Sequence, residues 1–156
     1  MAYIRELKVT YERKRVESDL LARSVESPKQ VHELFSDMQN ETKEKVVVLH
    51  LNPQLSILSY EVAAIGNAFD VFIDPVEIYR NAMLARAHSI IVAYNDPSGE
   101  CKPSSQANDA ALGLYRLGGI HNMALQDFIV IGHEKFYSYS EEGKFSTFKQ
   151  YNKISP

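Results

Sequence analysis

The side chains that could do chemistry are concentrated in one loop, YNDPSGECKPSS, at residues 94–105. Asp96 offers a carboxylate that could hold a metal ion, Cys101 offers a thiol, and Ser104 offers a hydroxyl that could donate to an oxyanion. Each also has a structural interpretation. An aspartate before Pro97 is typical of a turn that bonds its own backbone, and Ser104 suits the N-cap of a following helix. No histidine lies near Cys101 in the sequence, so we expect no nucleophilic role for it.

The other candidates for chemistry do not combine into a second site. The five histidines include no pair with the i, i+4 spacing of a helical metal site, and there is no glycine-rich phosphate loop. Gly118 and Gly119 are expected to end a helix rather than to begin one. The single cysteine excludes an internal disulfide and a thiolate cluster built by one chain, and it favours a reducing compartment.

The composition fits one domain with no nucleic-acid surface and no membrane contact. The 156 residues can bury a real core. A formal net charge of -3 gives duplex nucleic acid no general attraction, and the basic clusters at residues 13–15 and 144–153 are expected to be solvated surface. The N-terminus lacks the apolar core of a signal peptide, and no apolar run reaches the ~18 residues of a membrane span. We therefore expect a cytoplasmic protein.

The loop must be positioned by the elements around it, and the first half of the chain predicts three strands and a helix. IRELKVTYE alternates apolar and polar residues, which predicts a strand at a sheet edge. In SVESPKQVHELFSDMQNE, Ser27 and Pro28 mark the start of a helix of about three turns. KVVVLHLN predicts a buried strand, and LSILSYEVA predicts its hairpin partner after a reversal at residues 52–54.

The second half alternates helices with strands. Asp74 as N-cap and Pro75 behind it predict that DPVEIYRNAMLARAH is a helix. SIIVAY is a short apolar strand that runs into the loop, and a helix from Ser104 or Ser105 follows as far as Gly118. QDFIVIG and KFYSYSEEG predict two further strands. This alternation favours an α/β sandwich around a mixed sheet.

Several of these segments together resemble a known family. The series SPKQVHELF, VVVLHLN, DPVEIYRNAMLARAHSIIVAYNDPSG, KPSS, DFIVIG and YSYSEEG is similar to the bacterial RadC family, whose catalytic-type domain has the JAB/MPN (JAMM) metalloprotease-like fold. The resemblance covers about residues 5–143, so we expect a single domain over 1–156 with a tail at 144–156. It implies a three-layer α-β-α sandwich with a mixed, mostly antiparallel central sheet, as in the cytidine deaminase-like folds.

The resemblance implies a zinc site whose ligands are missing here. Active members of the fold carry an upstream glutamate as general base and the motif His-X-His, seven residues, Ser, two residues, Asp, in which the two imidazoles and the aspartate hold zinc. The three ligand positions fall on Tyr94, Asp96 and Ala107. The serine falls on Ser104 and the glutamate on Glu61, so these two are the remaining candidates for catalytic residues.

A further departure is Phe128, which stands in DFIVIG where the family often has a histidine. The residues that shape the loop, Pro97, Gly99 and Pro103, remain. We therefore expect a scaffold that is retained without its reaction and holds no cofactor. The alternative is a hydrolase with a rebuilt oxygen-ligand site.

That rebuilt site would use Asp96, Glu61 and Asp109 for magnesium, calcium or manganese. Helix geometry weakens this alternative, because two residues turn about 200° around the axis and point Asp109 away from the direction of Ala107. The DNA-repair association of the family name is a third hypothesis, and the net charge gives it no support.

The sequence thus predicts a catalytically inactive domain that binds a partner through the former active-site groove. The partner would be a protein or peptide, with a homodimer equally open. The residues expected to line this groove are Phe69, Phe72, Tyr94, Pro97, Ser98, Gly99 and Phe128.

Overall fold

The central element of the fold is a five-stranded mixed sheet, seen in a computed structural model that describes residues 1, 3–15, 19–66 and 72–151, without the side chains of residues 20 and 22. Its strands lie in the order β2-β1-β3-β4-β5. Their bounds are β1 Lys45–Leu51, β2 Ile57–Ile65, β3 Ser89–Asn95, β4 Ala124–Ile131 and β5 Phe136–Ser138. Only β3 and β4 pair in parallel, and the other three pairs are antiparallel.

Helices cover both faces of this sheet. They are α1 Pro28–Leu34, α2 Pro75–Leu84, α3 Ser105–Ile120 and α4 Lys144–Tyr151, with 3-10 turns at Asp19–Ala22 and Ser36–Asn40. Side chains alternate along each strand, so β1 sends Val46 and Val48 into the core under α2 and α3, and Val47 and Leu49 into the core under α1. The expected three-layer α-β-α sandwich with a mostly antiparallel sheet is confirmed.

The predicted helix starts carry the expected caps. The Asp74 carboxylate accepts hydrogen bonds from the backbone N–H groups of Val76 and Glu77 at 2.9 and 3.4 Å. Gln30 Oε1 accepts from the N–H of Ser27 at 3.1 Å, and Pro28 stands at N1 of α1. Local chemistry therefore determines where α1 and α2 begin.

The structure differs from the sequence predictions at several elements. The predicted N-terminal strand does not form, since residues 3–15 have no regular structure and Ile4, Leu7 and Val9 are exposed. Helix α3 does not end before Gly118 but continues to Ile120. The region expected to be a tail contains α4, whose Phe148 is buried against the core.

Of the two glycines near the end of α3, only Gly118 is needed for close packing. A Cβ on Gly118 would come within 2.4 Å of the Tyr79 hydroxyl and 2.6 Å of the Met123 carbonyl oxygen, whereas one on Gly119 would meet nothing within 4 Å. Gly118 therefore lets α3 approach α2 and the start of β4. Within the described part of the chain, no helix has the length and apolar character needed to cross a membrane.

Candidate functional site

The candidate site is the segment of residues 94–105, here called the site loop, which runs from the last two residues of β3 through the connecting loop to the first residue of α3. It is hydrogen-bonded to the end of β4 and to the turn between β4 and β5. The Asp96 N–H donates to the Ile131 carbonyl at 2.8 Å, and the His133 N–H donates to the Gly99 carbonyl at 3.3 Å. The Cys101 thiol donates to the Lys135 carbonyl at 3.2 Å. These contacts hold the loop in one conformation.

Glycines make the close contact between these two loops possible. Gly99 has φ +77°, a left-handed conformation that glycine adopts without strain. A Cβ on Gly132 would lie 2.1 Å from Cys101 Sγ and 2.6 Å from the Gly99 carbonyl oxygen. Burial raises the pKa of the Cys101 thiol, so the group is protonated at neutral pH and acts here as a packing residue.

Tyr94, at the first ligand position, lies inside the core. It sits in β3 between Val46 of β1 and Val130 of β4, and only 6% of it is exposed. Burial is the main reason why the pKa of its hydroxyl lies above the usual value, and the nearby Tyr139, Glu44 and Asp96 raise it further. A phenol must lose its proton to ligate a metal well, and this one keeps it.

The ring of Phe128 fills the space next to Tyr94. The two ring centroids are 5.6 Å apart, and Phe128 is 0% exposed. Tyr139 packs its ring edge-on against Phe128 at 5.0 Å, and its hydroxyl donates to Asn108 Oδ1 of α3 at 2.9 Å. Ala107, at the third ligand position, adds a buried methyl group to the same core. Two of the three positions that the resemblance assigns to ligands, Tyr94 and Ala107, therefore lie in an apolar core.

The polar residues of the site loop are engaged in local backbone contacts. Asp96 Oδ1 accepts from the Ser98 N–H at 2.9 Å, which is a turn of the Asx type. Ser104 Oγ accepts from the Ala107 N–H at 3.1 Å and caps α3. Both contacts agree with the structural interpretation of these residues. Asp109 is exposed on α3.

Glu61, the candidate general base, lies on β2 and faces α2. Its Oε2 accepts from Asn81 Nδ2 at 2.8 Å, and its Oε1 is 3.7 Å from His50 Nε2. His50 Nδ1 is in turn 2.9 Å from Ser59 Oγ. Sequence reasoning did not anticipate this cluster of Ser59, His50, Glu61 and Asn81. The one available signal was a histidine, His50, within the apolar run of β1.

The zinc ion that the family resemblance implies does not fit these residues. Of its three ligand positions, Tyr94 presents a buried phenol, Asp96 presents the only carboxylate, and Ala107 presents a methyl group. Among the residues that the structure describes, no three His, Cys, Asp or Glu side chains lie close enough to share a metal ion. The rebuilt site of Asp96, Glu61 and Asp109 is not formed either.

The expected groove also needs correction. Tyr94 and Phe128 are buried in the core, so they line no open groove. Pro97 and Ser98 are exposed and Gly99 is half-buried. Phe72 is 81% exposed, and Phe69 lies outside the described residues. What remains on the surface is the outer side of a rigid loop.

Comparison with known proteins identifies the family of this chain. A family model described as "RadC-like JAB domain" matches residues 25–144. A UPF0758 protein of Chlorobaculum parvum is 34% identical over 113 residues, which are 70% of this chain and 51% of the relative. UPF0758 proteins of Aquifex aeolicus and Methanosarcina mazei are both 31% identical, over 77% and 78% of this chain and 52% and 53% of the relatives. The chain thus spans about half the length of the curated relatives it matches. The predicted resemblance is confirmed, and the chain belongs to the RadC-like JAB domain family.

Proposed function

We propose that this chain is a non-catalytic RadC-like JAB domain that works as a binding or scaffold module. The observation that carries the proposal is the burial of Tyr94 and Ala107, two of the three positions that the resemblance assigns to ligands, in an apolar core in which the ring of Phe128 packs on Tyr94. A metal-activated hydroxide requires ligands that converge on one ion with an open position for water. A buried phenol and a methyl group supply no ligand, which leaves the Asp96 carboxylate alone among the three positions.

The two remaining catalytic candidates are already engaged. Ser104 caps α3 with its hydroxyl, and Glu61 accepts from Asn81 and faces His50. A base and an oxyanion donor without an activated nucleophile do not complete a hydrolytic site. Both residues therefore act as structural contacts in this proposal.

Binding would use the outer side of the site loop. Pro97 and Ser98 are exposed at its tip, while the contacts to Ile131, His133 and Lys135 keep its shape fixed. A rigid surface loses little conformational entropy on binding, which favours affinity. The partner is a protein or peptide, and a second copy of the chain is the other candidate.

Metal content tests the non-catalytic half of the proposal. Protein purified without chelator and then incubated with zinc or manganese is analysed for elemental composition after desalting. We expect the natural chain to hold far less than one ion per chain. Tyr94→His, Asp96→His and Ala107→Asp together, with Phe128→His to open space, should raise zinc toward one per chain. Tyr94→Phe, Asp96→Asn, Ala107→Ser and Phe128→Leu together form the matched control. A stoichiometric ion in the natural chain, lost on Asp96→Ala, would instead support the altered-ligand hydrolase.

A photo-crosslinking amino acid at residue 98 tests the binding half. It is introduced into the chain in its natural host, and the same residue at exposed position 120 serves as the control. We expect a discrete crosslinked species from position 98 that Pro97→Asp removes. Equal patterns from both positions would contradict a partner at the site loop.

A further inference from the structure

Four polar side chains form a connected series between strands β1 and β2 and helix α2. Ser59 Oγ lies 2.9 Å from His50 Nδ1, and His50 Nε2 lies 3.7 Å from Glu61 Oε1. Glu61 Oε2 in turn accepts a hydrogen bond from Asn81 Nδ2 at 2.8 Å. A hydroxyl, an imidazole that it contacts and a carboxylate beside that imidazole are the parts of an activated nucleophile. We call these four residues the Ser59 cluster.

The imidazole of His50 is the buried centre of the Ser59 cluster. Its side chain is 4% exposed, and that of Glu61 is 21% exposed. The register brings the cluster together, because His50 pairs with Ser59 and Val48 pairs with Glu61. These side chains therefore share the face of the sheet that Val48 occupies, under α2. Within the described part of the chain, neither His50 Nε2 nor Glu61 Oε1 has a hydrogen-bond partner, so two buried polar atoms face each other.

This arrangement decides which nitrogen of His50 carries the proton. A lone pair on Nε2 would face the lone pairs of the Glu61 carboxylate in a buried place, where electrostatic repulsion is strong. A proton on Nε2 turns the same contact into an attraction, and it leaves Nδ1 of the neutral ring as an acceptor. The short contact between Nδ1 and Ser59 Oγ is then a hydrogen bond that the serine donates. The hydroxyl of Ser59 is thus bonded to a base.

A cleft gives a small molecule access to Ser59. The residue is half-buried and lines a space of about 860 Å³ between residues 10–14 and residues 57–62. A volume of this size is typical of small-molecule sites. The neighbouring side chains of β2 on its wall are aliphatic or aromatic: Ile57, Leu58, Tyr60 and Val62. A wall of this kind favours a ligand that carries an apolar acyl chain.

The strand that carries Ser59 also supplies backbone donors. Among the described strands β2 pairs with β1 alone, and within the same residues no backbone hydrogen bond joins residues 10–14 to it. Alternate N–H groups of an antiparallel edge strand point away from its partner, so those of β2 are free to bond a ligand. Preorganised N–H groups stabilise the oxyanion that forms when a nucleophile attacks a carbonyl carbon. The edge of β2 therefore offers the donors that acyl transfer requires.

We infer that Ser59 is a reactive serine, activated by His50, that takes an acyl group from an activated ester such as an aryl ester or a thioester. Ser59 Oγ forms a bond to the carbonyl carbon while its proton passes to His50 Nδ1. The bond from that carbon to the leaving phenolate or thiolate then breaks, and the leaving group takes the proton from Nδ1. Glu61, held by Asn81, is a positioning residue that keeps the proton of His50 on Nε2.

This acylation goes beyond the proposed function and does not depend on it. One acyl group per chain is a modification of the protein without turnover, so it is compatible with a non-catalytic domain. It involves neither the ligand positions nor the exposed residues of the site loop. Its failure would therefore leave the metal and crosslinking tests unaffected.

Acetylation by p-nitrophenyl acetate at neutral pH tests the reactivity of Ser59. We expect a burst of about one p-nitrophenolate per chain, with the acetyl group placed on Ser59 by peptide mass spectrometry. Ser59→Ala should abolish the burst, and His50→Gln should slow it by about 100-fold or more, because it removes the base. Ser105→Ala, at an exposed serine, is the matched control and should react like the natural chain. Acetyl groups on lysines or the N-terminus alone, or equal rates for the natural chain and His50→Gln, would overturn the inference.

Nitrogen-15 NMR of the histidine rings tests the role of Glu61 in the natural chain, so this measurement does not depend on a variant that folds. We expect the neutral ring of His50 to carry its proton on Nε2, with its resonances assigned by their loss in His50→Gln. In Glu61→Gln the oxygen can accept from Asn81 while the N–H faces His50. This variant should therefore move the proton to Nδ1 and suppress acetylation of Ser59. A proton on Nδ1 in the natural chain would make Ser59 an acceptor and would also overturn the inference.

Discussion

The ring of Tyr94 packs against the ring of Phe128 with their centroids 5.6 Å apart, and the family resemblance assigns the first position to a zinc ligand and the second to a frequent histidine. Both are buried, and Phe128 continues the contact to Tyr139 of the β5 turn. Their packing is that of an ordinary hydrophobic core, in which large rings fill the volume. These rings are therefore part of the core that holds β3, β4 and α3 together.

If these rings stabilise the fold, truncating one of them should lower the free energy of unfolding. We expect Phe128→Ala to lower the free energy of unfolding by about 3 to 5 kcal/mol, because it removes a fully buried ring and leaves a cavity. Phe72→Ala removes the same atoms from an 81% exposed side chain and should change stability by less than about 0.5 kcal/mol. Urea unfolding followed by circular dichroism measures both. Equal effects would contradict the core role of Phe128.

The glycine pair of α3 provides a second matched comparison. Gly118→Ala should destabilise the protein by about 1 to 3 kcal/mol, because its Cβ would lie 2.6 Å from the Met123 carbonyl oxygen, a backbone atom that cannot rotate away. Gly119→Ala meets nothing within 4 Å and should stabilise the helix by up to about 1 kcal/mol. Thermal unfolding of the two variants gives the comparison. Two stabilising substitutions would show that α3 does not approach β4 this closely.

Elements with local chemical signals were predictable from the sequence. Asp74 caps α2 through two short-range hydrogen bonds, and Ser104 caps α3 through another, so the residue types and their spacing suffice. The apolar run of β3 predicts a buried strand for the same reason. The three ligand positions can be assigned only from the family motif. Whether they are buried can be known only from the folded structure.

Features that depend on distant residues were not predictable. The alternation over residues 4–12 indicates a strand, but a strand needs an edge to pair with, and no pattern within the segment identifies one. Gly118 signals a helix end, but α3 continues through it to Ile120, and Tyr79 and Met123 lie too close to leave room for a side chain there. Phe128 was placed at a groove because the motif gives its position along the chain. Its burial depends on Tyr139 and Tyr94, which come from other elements.

Acid should destabilise the protein through His32. Burial lowers the pKa of this ring below the ordinary histidine value of 6.5, and the nearby Glu33 offsets part of the effect. The ring packs on Phe136 at 5.4 Å, and its buried Nε2 has no hydrogen-bond partner. A lowered folded-state pKa means that the unfolded chain binds the proton more tightly. His32 therefore leaves stability intact above pH 6.5 and reduces it as the pH falls through that value toward the folded-state pKa.

The measurement is the free energy of unfolding of the natural chain and of His32→Gln at several pH values between 7.5 and 5. We expect the natural chain to lose stability relative to the variant as the pH falls. His88→Gln, at an exposed position, controls for the general acid dependence of the protein and should follow the natural chain. Parallel curves for the natural chain and His32→Gln would contradict the burial of this ring.

We expect helix α4 to contribute to the stability of the protein, although the sequence indicated only a tail there. Phe148 is 6% exposed, and its ring lies 5.7 Å from that of Tyr115 on α3 and 6.3 Å from that of Tyr139. Phe148→Ala should therefore lower the free energy of unfolding by about 3 kcal/mol. Tyr151→Ala, three residues on and 53% exposed, should have an effect below about 0.5 kcal/mol. If Phe148→Ala were as mild as Tyr151→Ala in urea unfolding, α4 would not belong to the core. The expected difference instead makes residues 144–151 part of the layer that covers Tyr139 and, through it, the ring of Phe128.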